Sequence, residues 1–126
     1  MRLVIDTSVL IDHFRGRIQA TRLIQSAIRD GDELWSSHVV RAEVLVGMRP
    51  GEESSTRQLL GEISWVAVDE GVAEAAGALG RRYLRSHPGI DIADLLIAAL
   101  AQQLDAELKT TNAKHFPMFP GLRAPY

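Results

Sequence analysis

Along this chain, short runs in which nearly every residue is apolar alternate with longer stretches in which apolar residues return every three or four positions. Runs of the first kind predict strands near residues 2–6, 33–37, 65–68 and 107–110. The clearest stretch of the second kind holds Ala20, Leu23, Ile24, Ala27 and Ile28, one face of a helix over residues 19–30, and Gly31 stands where a glycine would end it. A second helix is expected from Ser37 or His38 to about Met48, stopped by "RPG" at 49–51. A third should begin at Asp69, a good N-cap, and run through Ala75, Ala76, Leu79 and Tyr83 to Ser86, before "HPG" at 87–89. The stretch from Ile92 to Leu104 is apolar around most of its circumference, which predicts a central, buried helix. Strands alternating with helices are the pattern of a parallel sheet with helices on its faces, so the expected fold class is α/β. No repeat, linker or low-complexity segment interrupts the pattern, and the length of 126 residues fits one domain.

Charges break the apolar pattern in three places. In a parallel α/β sheet, ligands collect in the crevice outside the C-terminal ends of the strands. The run Leu3, Val4, Ile5 ends there on a carboxylate, Asp6, before apolar residues resume at Val9 in a helix that Thr7 or Ser8 could cap. A lone Asp at such a turn is most simply an N-cap itself. Two further acids change that balance. Glu43 lies among Val39, Val40, Val44, Leu45 and Val46, and Asp94 among Ile92, Leu95, Leu96 and Ile97. A buried carboxylate must be protonated, paired with a cation or bound to a metal. Arg41 points elsewhere on the helix from Glu43, and no Lys or Arg lies within four positions of Asp94. A metal ion is the economical partner. Asp91, three residues before Asp94, either shares its face or caps its helix.

Composition narrows the chemistry. The absence of cysteine excludes disulfides, thiolate metal sites and cysteine nucleophiles. Carboxylates with only four scattered histidines, at 13, 38, 87 and 115, suit hard cations such as Mg²⁺ or Mn²⁺ rather than zinc. No two histidines stand at i, i+4, so they are expected as turn or surface residues. With 46% hydrophobic and 24% charged residues the chain has ordinary globular usage. Its net charge of −2 does not advertise nucleic-acid binding, and the cluster Arg81, Arg82, Arg85 reads first as a solvated helix face. The apolar stretch around 94–101 is far shorter than the roughly 20 residues that cross a bilayer. "MRLVID" has no long apolar core or small-residue cleavage site, so a soluble, cytoplasmic protein is expected. A phosphotransfer receiver domain would want paired acids after the first strand, and a haloacid-dehalogenase phosphatase an acid where Ser8 stands. No glycine-rich loop ending in GK[ST] supports nucleotide hydrolysis.

The quoted stretches "VIDTSVLID" at 4–12, "SSHVVRAEVLVG" at 36–47, "IDIADLLIAALAQQLDAEL" at 90–108 and "KTTNAKHFPMFPGL" at 109–122 resemble, in order, the motifs of a PIN-domain ribonuclease. The resemblance is strongest to the VapC toxins of VapBC toxin–antitoxin pairs, and it spans nearly the whole chain. It implies a three-layer α/β/α fold and a Mg²⁺-dependent endoribonuclease, with Mn²⁺ able to substitute, acting on structured RNA such as tRNA or rRNA. The family's three acids fall on Asp6, Glu43 and Asp94, and its Ser or Thr on Ser8. A fourth, more variable acidic position corresponds to Asn112, which removes a charge and weakens any second metal ion. The resemblance also implies a homodimer and a VapB-type antitoxin as partner. The alternative within the same fold is a non-catalytic PIN-like RNA-binding module.

Overall fold

The computed structural model of the protein describes residues 1–126. Strands β1 (Arg2–Ile5), β2 (Glu33–Ser37), β3 (Ser64–Val66) and β4 (Glu107–Lys109) form one parallel sheet in the order β3-β2-β1-β4. Val4 sits opposite Trp35 on one side and Leu108 on the other. Leu3, Val4 and Ile5 are all buried, and three consecutive buried residues on a pleated strand need cover on both faces.

Helices α1 (Thr7–Phe14), α2 (Ile18–Arg29) and α3 (His38–Val46) supply one cover. They pack on one another, and α2 and α3 reach β2. The other comes from α6 (Ile92–Gln103), which lies on β1, β2 and β4 with α5 (Glu70–Tyr83) packed along it. At that contact Gly80 lets the helices approach, since a Cβ there would stand 3.1 Å from Leu95 Cδ1. The result is the expected α/β/α layering. Fully burying each Val, Leu or Ile of the shared core is worth about 1.5–3 kcal/mol, and α6 contributes Leu95, Ile97, Ala98, Ala99, Leu100 and Ala101 to it. No helix is long and apolar enough to cross a membrane.

Local signals account for most boundaries. Gly31, at φ +78°, ends α2 where the sequence predicts. Ser37 caps α3 by accepting the amide of Val39, and Asp69 caps α5 by accepting that of Val72. The helix α5 stops at Tyr83, three residues short of the expected Ser86. One α-helix is absent from the sequence-based expectation: α4 (Glu53–Leu60), between the "RPG" breaker and β3. It buries only Thr56, Leu59 and Leu60 and is otherwise polar, so its apolar stripe is too narrow to stand out.

The chain runs outward from β1 through β2 to β3, then crosses back to place β4 on the other side of β1. That reversal opens a crevice at the C-terminal ends of β1 and β4, the position where such sheets bind ligands.

Candidate active site

Asp6 follows directly on β1, and its backbone amide extends the ladder by donating to the Lys109 carbonyl at 3.0 Å. It occupies the N-cap position of α1 but makes no capping bond with its side chain. Its Oδ2 instead accepts from Thr110 Oγ1 at 2.8 Å and Ser8 Oγ at 3.0 Å. Ser8 Oγ accepts the Thr111 amide, and Thr110 Oγ1 accepts the Asn112 amide, each at 3.0 Å. The turn after β4 is thus wired to the turn after β1, with Asp6 and Thr110 buried between them.

The helix α3 brings Glu43 to the same place. Its Oε1 accepts from Thr7 Oγ1 at 2.7 Å. The apolar neighbours of Glu43 in the sequence suggest burial; the side chain is exposed, because Val40 and Val44 take the core face of α3 and Glu43 lies off it.

At the start of α6, Asp91 and Asp94 form a reciprocal cap: Asp91 Oδ1 accepts the Asp94 amide at 2.9 Å and Asp94 Oδ2 accepts the Asp91 amide at 3.1 Å. Asp91 is therefore the N-cap, and it also faces the crevice. Asp94 Oδ2 has a second neighbour, His115 Nδ1, at 3.2 Å. Burial pushes the Asp94 carboxyl up to about 6; the charges of Asp91 and Asp6 push the same way, while the Asp91 amide and His115 pull it down.

These groups surround a cavity of about 370 Å³. Asp6, Asp12, Glu43, Asp91 and Asp94 supply five carboxylates, with Ser8, Asn112 and His115 beside them. All six residues singled out in the sequence, Asp6, Ser8, Glu43, Asp91, Asp94 and Asn112, line it. Sequence reasoning missed Thr7, Asp12, Thr110 and His115. A signal existed for Asp12, which stands one helical turn after Ser8 on the same face. None marked His115, placed by the sequence among surface residues, because its partner Asp94 lies far away along the chain.

Asp6, Glu43 and Asp94 share one feature. In each, a single oxygen accepts from protein donors, and the other (Oδ1, Oε2 and Oδ1 respectively) has no protein partner. As the side chains lie, no three His, Asp or Glu residues stand close enough together to hold a metal ion between them. An all-oxygen, open donor set of this kind fits a hard divalent ion that keeps several of its waters.

A parallel sheet with a cluster of carboxylates at its switch point is a ligand-binding arrangement, and its chemistry is of the class that metal-assisted phosphoryl-transfer enzymes use. The family model of the PIN domain matches residues 3–119, and the chain belongs to that family. It is 45% identical to ribonuclease VapC19 of Mycobacterium tuberculosis over 98% of both chains. It is 41% identical to ribonuclease VapC10 of the same organism, over 98% of this chain and 92% of the other. The fold superposes on a chain of a toxin–antitoxin complex from Klebsiella pneumoniae with a TM-score of 0.82, at 30% identity and 98% coverage of each. Within the family it is a VapC-type ribonuclease, and PIN-domain ribonucleases are generally dependent on a divalent metal ion.

Proposed function

We propose that this protein is the toxin of a type II toxin–antitoxin pair, an endoribonuclease that hydrolyses phosphodiester bonds in structured RNA, tRNA or rRNA, with Mg²⁺ as its ion and Mn²⁺ able to replace it. The observation that carries this reading is the set of three carboxylates, each tied to the protein through one oxygen and open at the other. Asp6, Glu43 and Asp94 would hold the ion through those open oxygens. A bound divalent ion supplies a polarised phosphate oxygen and a water acidic enough to attack at neutral pH.

The protein's own groups do the positioning. Thr110 and Ser8 fix the Asp6 carboxylate from behind, and Thr7 does the same for Glu43. The Asp91 amide and His115 hold Asp94. Such supporting bonds set ligand geometry and basicity, and their loss typically costs ~10–100-fold in metal affinity or activity. Asn112, where an acid would add charge, contributes only neutral donors and acceptors to the cavity wall.

The partner in this reading is a small VapB-type antitoxin, in keeping with the toxin–antitoxin complexes among the structural neighbours. A homodimer working in the cytoplasm completes it.

The test is cleavage of purified bacterial tRNA and rRNA, read by mapping new 5′ ends. Cuts should appear with Mg²⁺, vanish in EDTA and return with Mn²⁺. Cleavage that persisted in chelator would overturn the metal reading, and intact RNA in every condition would overturn the activity.

A further inference from the structure

A second cavity, of about 330 Å³, adjoins the acidic one and is lined by His87, Gly89, Ile90, Lys114 and His115. His115 is the shared wall, lining both. Its Nδ1 meets Asp94 at 3.2 Å on the acidic side. Its Nε2 faces the other way, 4.0 Å from where a Cβ on Gly89 would stand.

The two cavities differ in charge. Five carboxylates line the first, whereas the second contains none. Lys114 is one of two lysines in the chain. The other, Lys109, is held by Glu107 at 2.6 Å, while Lys114 is exposed and has no carboxylate partner. The backbone adds a donor. The amides of His87 and Ile90 bond to the carbonyls of Tyr83 and His87, but the exposed Gly89 amide bonds to nothing in the protein. Just before this turn, Arg81 and Arg82 in the last turn of α5 and Arg85 just past its end are exposed and make no ion pairs, the Arg82 guanidinium lying 5.2 Å over the Tyr83 ring.

We propose that this cavity is a phosphate subsite, holding the phosphodiester of the RNA strand next to the one cut, with Lys114 Nζ and the Gly89 amide as its donors. The proposal rests on the ribonuclease reading above. An RNA strand entering the acidic crevice is repelled at every phosphate that no cation neutralises. An ammonium one wall away offsets that repulsion and sets the register of the strand, as backbone contacts do. Arg81, Arg82 and Arg85, just upstream in the chain, add positive charge to the same segment.

The probe is a fluorescein-labelled tRNA pool, bound by the full chain in EDTA, where no cutting occurs. Changing Lys114→Gln should weaken binding about 5–10-fold and lower the slope of log K against log salt by ~0.7–1. Lys114→Arg should restore both to within about twofold of wild type, since it keeps the charge. In Mg²⁺ the Lys114→Gln change should raise KM by a similar factor with little loss in kcat. Titrated RNA should move the Gly89 amide resonance in wild type, and in Lys114→Gln only at about 5–10-fold higher RNA concentration. Affinity and salt slope unaltered in Lys114→Gln would overturn the subsite, while wild-type cleavage in the same preparation would leave the ribonuclease reading intact. Inorganic phosphate that moved the Gly89 amide at lower concentration than RNA would assign the cavity to a free anion instead and overturn it. Absence of wild-type cleavage would remove the reading on which the proposal stands.

Discussion

Replacing Asp94 with Asn tests whether the site is built for a cation the protein does not itself provide. The carboxylate is buried, and Asp91 and Asp6 add like charge, so its pKa stands near 6 against 3.8 for the free side chain. A difference of that size corresponds to about 3 kcal/mol against the charged form. Water reaching the carboxylate through the open cavity screens part of this, leaving ~1–2 kcal/mol. Because the folded pKa lies above the unfolded one, ionisation works against the fold. The cost is absent below pH 3.8, grows as the pH rises, and is complete above about 6. The amide in Asp94→Asn carries no such cost and can still accept the Asp91 amide. In chelator, Asp94→Asn should therefore match wild type near pH 4 and exceed it by ~1–2 kcal/mol at pH 8, in urea unfolding followed by circular dichroism. Adding Mg²⁺ or Mn²⁺ at pH 8 should raise wild-type stability, since the ion binds only the folded state, and raise the mutant less. RNA cleavage should be lost. If Asp94→Asn is instead the less stable protein at pH 8 in chelator, His115 and the Asp91 amide already satisfy the charge, and the case for a missing cation collapses.

Two smaller changes probe the supports. Thr110→Val keeps the shape of a fully buried side chain but removes the 2.8 Å bond to Asp6 and strands the Asn112 amide; it should cost about 1–3 kcal/mol in urea unfolding and lower Mn²⁺ affinity by ~10–100-fold in a calorimetric titration. Tyr126 donates to Asp12 Oδ2 at 2.8 Å, its ring lies 4.9 Å under the Arg17 guanidinium, and burial holds its hydroxyl well above the usual tyrosine pKa. Tyr126→Phe should lower stability by ~1 kcal/mol, and an unchanged melting temperature would show that this contact does not clamp the C-terminal segment to α1.

What the sequence reveals of this protein follows from the range of each interaction. The helix over Ala20 to Ala27 repeats its apolar face over about two turns, and Asp69 and Gly31 are local punctuation, so these elements are legible from the residues around them. So is the oddity of an acid among apolar neighbours at Asp94. Glu43 has the same sequence surroundings and an exposed side chain, because apolar neighbours do not fix which face of a short helix turns inward. Thr110 and His115 were invisible for a different reason. Each is an ordinary residue in its own segment and gains a role only through a partner far along the chain, Asp6 for Thr110 and Asp94 for His115. Pairings of that kind are made by the topology that returns β4 to the side of β1, and no local pattern encodes them.

That topology also explains the behaviour of Asp6. The helices α3, α5 and α6 begin with Ser37, Asp69 and Asp91, and each of these side chains accepts an amide of its helix's first turn. The N-caps of α2 and α4 are Arg17 and Glu52, poor capping types that make no side-chain capping bond. Among the helices, α1 alone has a strong capping residue whose carboxylate makes no cap. Forgoing that bond costs ~1 kcal/mol of local stability. The carboxylate is turned instead toward Thr110 and Ser8, which hold it with two hydroxyl donors at the edge of the acidic cavity. Hydrogen bonds to a charged group are worth about 1.5–3 kcal/mol each, so the support recovers what the uncapped helix loses and fixes the carboxylate across two strand ends. An N-cap bond would have tied Asp6 to α1 only. The rule that fails here, a capping residue that does not cap, fails at a carboxylate proposed above to hold the metal ion.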